Sequence, residues 1–194
     1  MAISERRRLT FTAITIILVG IITGLLLGTA FLSGAPPTKT FHVIAYHWGY
    51  AIFDEDWNEI EQMVVKRGTT VRLITYPITL FSQELQDELY QRVVDRGLKT
   101  SLGDEEVVEY PPGDARITDI IEAARTDPDT ANHGVFIAEF NVDLSPKTDK
   151  SALEEAIDTI EFTPDALGSF EISCSVECGP GHEFFALDDA LVVE

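Results

Sequence analysis

The chain has 194 residues, with 33 acidic and 14 basic side chains and a net charge of −19 at pH 7. That sign excludes nucleic acid as a partner, because phosphate backbones recruit lysine- and arginine-rich faces. Arg6, Arg7 and Arg8 stand directly before an uncharged stretch. Residues 9–32 of that stretch, dominated by Leu, Ile, Ala and Thr, read as a transmembrane anchor. At about 1.5 Å per residue such a helix crosses a ~30 Å hydrocarbon layer. It also exceeds the ~7–15-residue apolar region of a cleaved signal peptide. The positive-inside rule then puts residues 1–8 in the cytoplasm and, after a linker at 33–40, residues 41–194 outside the cell membrane. Gly20, Gly24 and Gly28 share one helix face and form a stripe on which another membrane helix can pack.

The external part is long enough for one domain with its own core. Runs at 41–50, 60–65 and 70–75 are β-branched and aromatic and read as strands, with Lys66, Arg67 and Gly68 as a turn. Residues 82–131 break the pattern and read as a largely helical insertion. A helix over 82–96 places Leu85, Leu89 and Val93 on one face and stops at Gly97. A second, over 114–125, starts on Asp114 and carries Ile117, Ile120, Ile121 and Ala124. Covering one side of the sheets is the simplest role for such an insertion, with docking of a partner as the alternative. Strand patterns return at 134–142, 169–173 and 186–193, and Ser151 with Glu154 forms a capping box for a short third helix. Short strands with turn punctuation predict a mainly β sandwich.

The only two cysteines lie in Cys174-Ser-Val-Glu-Cys178-Gly-Pro-Gly-His182. Two thiols and an imidazole on one short loop are a soft donor set, suited to copper or zinc and poorly to magnesium or calcium. A disulfide between the cysteines is the other reading. It would close only a small ring and stabilise little.

The loop resembles the CuA loop of subunit II of haem-copper oxidases, Cys-x-x-x-Cys-Gly-x-x-His-x-x-Met. Every element matches except the last, where Phe185 replaces Met. Asn132-His133-Gly134-Val135-Phe136 is similar to the family's upstream histidine segment, and Ala45-Tyr46-His47-Trp48-Gly49-Tyr50 to its aromatic strand. The likeness extends over residues 9–81 and 132–185 and is nearest to single-span, B-type subunits.

The resemblance implies a cupredoxin Greek-key sandwich behind one N-terminal transmembrane helix. It implies a dinuclear copper centre held by Cys174, Cys178, His133, His182 and the backbone carbonyl of Val176. Trp48 and Tyr50 become candidate electron relays. Glu5 matches the place where some B-type relatives carry a carboxylate at a proton entrance; pairing with the neighbouring arginines is its plainer reading. His42 and His47, without cysteine partners, read as ordinary strand or surface histidines. The implied function is the electron-accepting subunit of a terminal oxidase, a subunit of a respiratory oxidoreductase with no catalytic residue of its own. It would take electrons from a small blue copper protein or cytochrome c and pass them to haem in a large membrane subunit docked on the glycine stripe. The corresponding subunit of a nitric oxide reductase, or a membrane-tethered copper-binding or assembly protein, are the alternatives. The acidic residues are dispersed rather than clustered. That favours a halophile's surface over a patch that steers a basic donor.

Overall fold

The β-branched run that opens the external part turns back on itself. β1 (Thr38–Tyr46) and β2 (Gly49–Phe53) form an antiparallel hairpin in which Tyr46 pairs with Gly49 across a two-residue turn made by His47 and Trp48. The single strand expected over 41–50 is thus two. Hairpin turns of this length usually carry Asn-Gly or Asp-Gly, so His-Trp gave no turn signal. Gly49 is the one local cue: a Cβ there would lie 2.5 Å from the Tyr46 hydroxyl. Trp48 takes φ 66°, a left-handed conformation rare for so bulky a residue.

The computed structural model describes residues 37–102, 106–126, 133–150, 152–176, 181 and 184–194. The expected anchor at 9–32, its glycine stripe and Glu5 lie outside the described residues, as do Cys178 and His182. Among the described residues no helix is long and apolar enough to cross a membrane.

Residues 37–194 form one mainly β unit. β3 (Glu59–Ile60), β4 (Met63–Val65) and β5 (Thr70–Pro77) follow the hairpin. The run expected as one strand over 60–65 is split between two sheets. β10 (Asp158–Phe162), β5, β1, β2 and β3 make a five-stranded sheet in that order. β5 is parallel to β1, Thr38 facing Thr70 and Ala45 facing Pro77. β10 was not foreseen, because its Asp-Thr-Ile-Glu-Phe sequence alternates weakly and sits on an edge. β11 (Gly168–Ile172), β12 (Leu187–Val193) and β4 make a second, three-stranded sheet. Val43, Ile44 and Leu73 of the first sheet and Met63, Leu191 and Val193 of the second belong to one buried cluster. Two sheets burying their apolar faces in a common core is the two-layer solution available to strands that cannot bury a face alone. Leu73 has no exposed surface, so Leu73→Ala should cost about 2–5 kcal/mol. A thermal melt of the full chain in detergent checks this; a loss under about 1 kcal/mol would mean that the cluster repacks freely.

The segment expected over 134–142 as one strand is also a hairpin. β8 (Val135–Ile137) and β9 (Val142–Leu144) flank a 3-10 turn at Ala138–Phe140, closed by Asn141 at φ 49°. Asn tolerates that conformation better than most residues. The two expected helices of the insertion are present. α1 (Gln83–Arg96) starts on Ser82, whose hydroxyl accepts from the Leu85 N–H, and ends at Gly97, φ 86°. α2 (Ala115–Thr126) starts after Asp114, whose carboxylate accepts from the Arg116 N–H at 2.9 Å. Arg125 of α2 bonds to Asp87 of α1 at 3.0 Å. Between the helices lies a hairpin that was not expected, β6 (Leu98–Leu102) and β7 (Glu106–Tyr110). The insertion thus adds ten strand residues to its two helices of 14 and 12 residues. The short helix α3 (Leu153–Ala156) begins at Ala152, with no side chain capping it; Ser151, the expected cap, lies outside the described residues.

Candidate metal centre

The histidine segment and the cysteine segment lie side by side. Phe136 in β8 exchanges both backbone hydrogen bonds with Ser173, at 2.8 and 3.0 Å, where β11 leads into the cysteine loop. Extending that pairing brings Gly134 to Cys174: the Gly134 N–H donates to Cys174 Sγ at 3.4 Å. The Cys174 thiol in turn lies 3.2 Å from the Val176 carbonyl, toward which it donates. So two of the expected donors, thiol and carbonyl, sit together at the start of the loop. Gly134 is what permits this approach. A Cβ on it would stand 2.5 Å from Ser175 Oγ and 3.0 Å from the Ser175 nitrogen. Ser175 is itself held by Asp143, its hydroxyl donating to the carboxylate at 2.5 Å. From the other side the Tyr50 hydroxyl donates to the Gly134 carbonyl at 3.0 Å. Tyr50 thus ties the histidine segment to β2.

Around these donors stands a shell of rings. His133 is 4% exposed and its Nδ1 has no hydrogen-bond partner among the described residues. Leaving a buried polar atom unpaired costs about 1–3 kcal/mol, which makes this nitrogen a candidate ligand. Phe185 is buried and lies edge-on to His133, ring centres 6.4 Å apart. It is also 6.1 Å from the Tyr50 ring. Phe185 thus packs against the histidine ring. His47 was read as an ordinary strand or surface residue; it is 2% exposed, 5.2 Å from the His133 ring and 6.1 Å from Phe185. Its signal in the sequence was a lone polar side chain inside an otherwise apolar run. Trp48 packs edge-on to His47 at 3.8 Å. His42 is elsewhere and buried, stacked on Trp57 at 4.3 Å with Nδ1 2.9 Å from the Tyr76 hydroxyl. Burial lowers its pKa.

The insertion packs into the common core and also touches the segment that follows the cysteines. Gly181, φ 83°, lies against β6: a Cβ on it would meet the Thr100 Cα at 2.8 Å, and its N–H donates to Ser101 Oγ at 3.1 Å. Lys99 sits over the Phe184 ring at 4.8 Å. Arg96 of α1 donates to the Trp48 carbonyl, holding the strained residue beside His47. Tyr90 of α1 meets the Tyr46 ring edge-on at 5.8 Å. Burial pushes the Tyr90 phenol up to about 12, so it keeps its proton at physiological pH. A cavity of about 530 Å³ between α1 and α2 reaches His47 and His133 past Tyr90 and Arg125. Another, of about 430 Å³, reaches Trp48, Tyr50 and Phe185 from the side of β6 and β7.

Of the expected ligands, then, Cys174 contacts Val176 directly and reaches the histidine segment through Gly134, the residue after His133. Among the described residues no group of three or more His, Cys, Asp or Glu side chains is gathered as a complete metal site. The described donors nevertheless fit copper in kind: a buried imidazole nitrogen without a partner among the described residues, a thiol sulfur against the backbone of the next residue, and a carbonyl within reach of that sulfur.

No family model matches the sequence, and no curated protein matches it. Among solved structures, a chain of a heme-copper terminal oxidase dimer is similar at 14% identity over 94% of this chain and 97% of that one, TM-score 0.41. The periplasmic domain of cytochrome oxidase subunit II from Bradyrhizobium japonicum is similar at 12% identity, over 83% of this chain and 86% of that one, TM-score 0.38. Similar too, at 12% identity over 84% and 86%, TM-score 0.41, is a structure of a cytochrome c oxidase subunit II in mixed disulfide with a thioredoxin-like protein.

Proposed function

We propose that this chain is the electron-accepting subunit of a membrane-bound haem-copper oxidase, with a dinuclear copper centre on Cys174, Cys178, His133, His182 and the Val176 carbonyl. The observation that carries the reading is the contact between Gly134 and Cys174. Two segments forty residues apart, matched independently to the ligand motifs, meet at a position that only glycine allows. Copper bound to paired thiolates supplies one-electron exchange with little change in bond length. The protein's share is to hold the donors fixed and dry. Tyr50 and Asp143 brace the segments on either side, and Phe185 and His47 pack around the His133 ring. Trp48 and Tyr50 serve as electron relays. The remaining parts of the proposal are a single anchor at 9–32, a haem-bearing large subunit on the Gly20, Gly24 and Gly28 face, and a blue copper protein or cytochrome c as donor. Glu5 serves at a proton entrance, and B-type affinity and a halophilic source complete the reading.

The test is metal analysis and EPR on the full chain purified in detergent. Two coppers per chain and a delocalised mixed-valence spectrum are expected. One copper with a four-line spectrum would overturn the dinuclear centre. Purification from native membranes, followed by haem analysis and turnover with oxygen and with nitric oxide, tests the partner. Phe185→Met should retain both coppers and shift the reduction potential and visible bands, because Met fits irregular space and axial sulfur tunes copper potentials. Identical redox titrations would mean that position 185 does not act on the metal. The halophilic reading rests on exposed carboxylates spread from Glu55 to Glu194. Their mutual repulsion disfavours the compact state at low salt and is screened at high salt. The melting temperature of the full chain should therefore rise between dilute buffer and molar potassium chloride; a flat or falling trend would count against it.

A further inference from the structure

We propose that His47 is a ligand of this centre: a further imidazole that binds copper together with His133, on the side where Phe185 offers no sulfur. The inference rests on the copper reading above. Three observations place it. His47 is buried and its ring centre is 5.2 Å from that of His133, inclined at 58°. With metal–nitrogen bonds of about 2.0–2.1 Å, two imidazoles on one tetrahedral ion hold their ring centres about 5 Å apart. The second observation is the neighbour: the His133 Nδ1 has no partner among the described residues, and Phe185 lies 6.4 Å from His133 and 6.1 Å from His47. The residue that replaces the thioether thus contacts both imidazoles, and His47 brings a nitrogen donor to the place where the sulfur is missing. Imidazole is a good copper ligand.

The third observation is the turn. His47 is a turn residue, not a strand residue. Its backbone is fixed by the pairing of Tyr46 with Gly49, by Trp48 at φ 66° and by the Arg96 bond to the Trp48 carbonyl. Its ring is pinned edge-on by the Trp48 indole. Strained backbone persists where the surrounding structure over-determines it, and it clusters at functional sites. Tilted packing of two rings alone also gives this spacing, so the discriminating measurement has to count nitrogens rather than distances.

The experiment uses the full chain in detergent, stripped of metal and titrated with copper, as wild type, His47→Phe and His47→Gln. Bound copper, pulsed-EPR imidazole nitrogen modulation and reduction potential are read on each. His47→Phe and His47→Gln should each lose one imidazole from the nitrogen signature, weaken copper at least tenfold and raise the potential, because a nitrogen donor that favours copper(II) is gone. Gln keeps polarity and hydrogen bonding, so a packing role would be rescued by it and a ligand role would not. Unchanged nitrogen count and affinity in either variant would overturn the assignment. Should both variants fail to fold, ¹⁵N-histidine NMR of the wild type with and without copper(I) decides: ring nitrogens of His47 that stay unmoved overturn it. A wild-type chain that takes up no copper would overturn the proposed function along with this inference; copper uptake with indifferent His47 variants overturns this inference alone.

Discussion

Cys174→Ser is expected to abolish the copper–thiolate absorption and the delocalised EPR signal of the full chain. It should also weaken copper binding by more than about 100-fold, since altering groups that merely orient a ligand already costs about 10–100-fold. Serine is nearly isosteric, and its hydroxyl can still take the Gly134 N–H and donate to the Val176 carbonyl. The fold should accordingly survive with a nearly unchanged melting temperature for the metal-free protein. The pairing of those two outcomes is the point: loss of metal with retention of fold assigns the sulfur a ligand's role rather than a packing role. Retained copper and spectrum in Cys174→Ser would sink the proposed centre. A matching loss of stability in the metal-free form would show that the sulfur is chiefly a packing group.

Gly134→Ala should be nearly as damaging, by a different route. The new methyl would stand 2.5 Å from Ser175 Oγ, 3.0 Å from the Ser175 nitrogen and 3.3 Å from the Val176 nitrogen. The first of these can be relieved by a rotamer change that gives up the bond to Asp143, but the other two are backbone. The cysteine loop must therefore move away from His133. Overpacking of this kind costs about 1–3 kcal/mol, and ligands displaced by about 1 Å no longer converge. We expect a lowered melting temperature and copper affinity reduced at least tenfold. Adding Ser175→Gly to the same chain should recover little, because the backbone clashes persist. Full recovery in the double variant would show that only the hydroxyl was in the way.

The sequence made the ligand chemistry legible and the local geometry much less so. Spacing within Cys174-x-x-x-Cys178-x-x-x-His182 is a statement about donor type, and donor type survives any detail of folding. The helices α1 and α2 were legible because their ends are written in caps, Ser82 and Gly97 on one and Asp114 on the other. The hairpin turns were not. Both the His47–Trp48 turn and the turn ending at Asn141 interrupt runs that read as continuous strands; the second carries a turn residue in Asn141, whereas the first is held by a tertiary contact rather than by turn residues. Arg96 holding the Trp48 carbonyl is such a contact, and it joins positions 48 residues apart. The same blindness hid His47. Within a strand its side chain would fall on an alternating face, whereas in a turn it points where the turn aims it.

The insertion bears on how the domain assembles. Thr75 of β5 pairs with Asp158 of β10 across 83 residues of sequence, and its hydroxyl donates to the Asp158 carbonyl. Such distant pairing slows folding, because the chain must close a long loop before the contact rewards it. Much of that loop is not coil. α1 and the β6–β7 hairpin form from local contacts, on timescales of about 1–10 μs or less, and they shorten the effective loop before β10 arrives. Gly181 lies against Thr100 of that hairpin. A hairpin built from local contacts thus offers a ready surface for the segment that follows the cysteines.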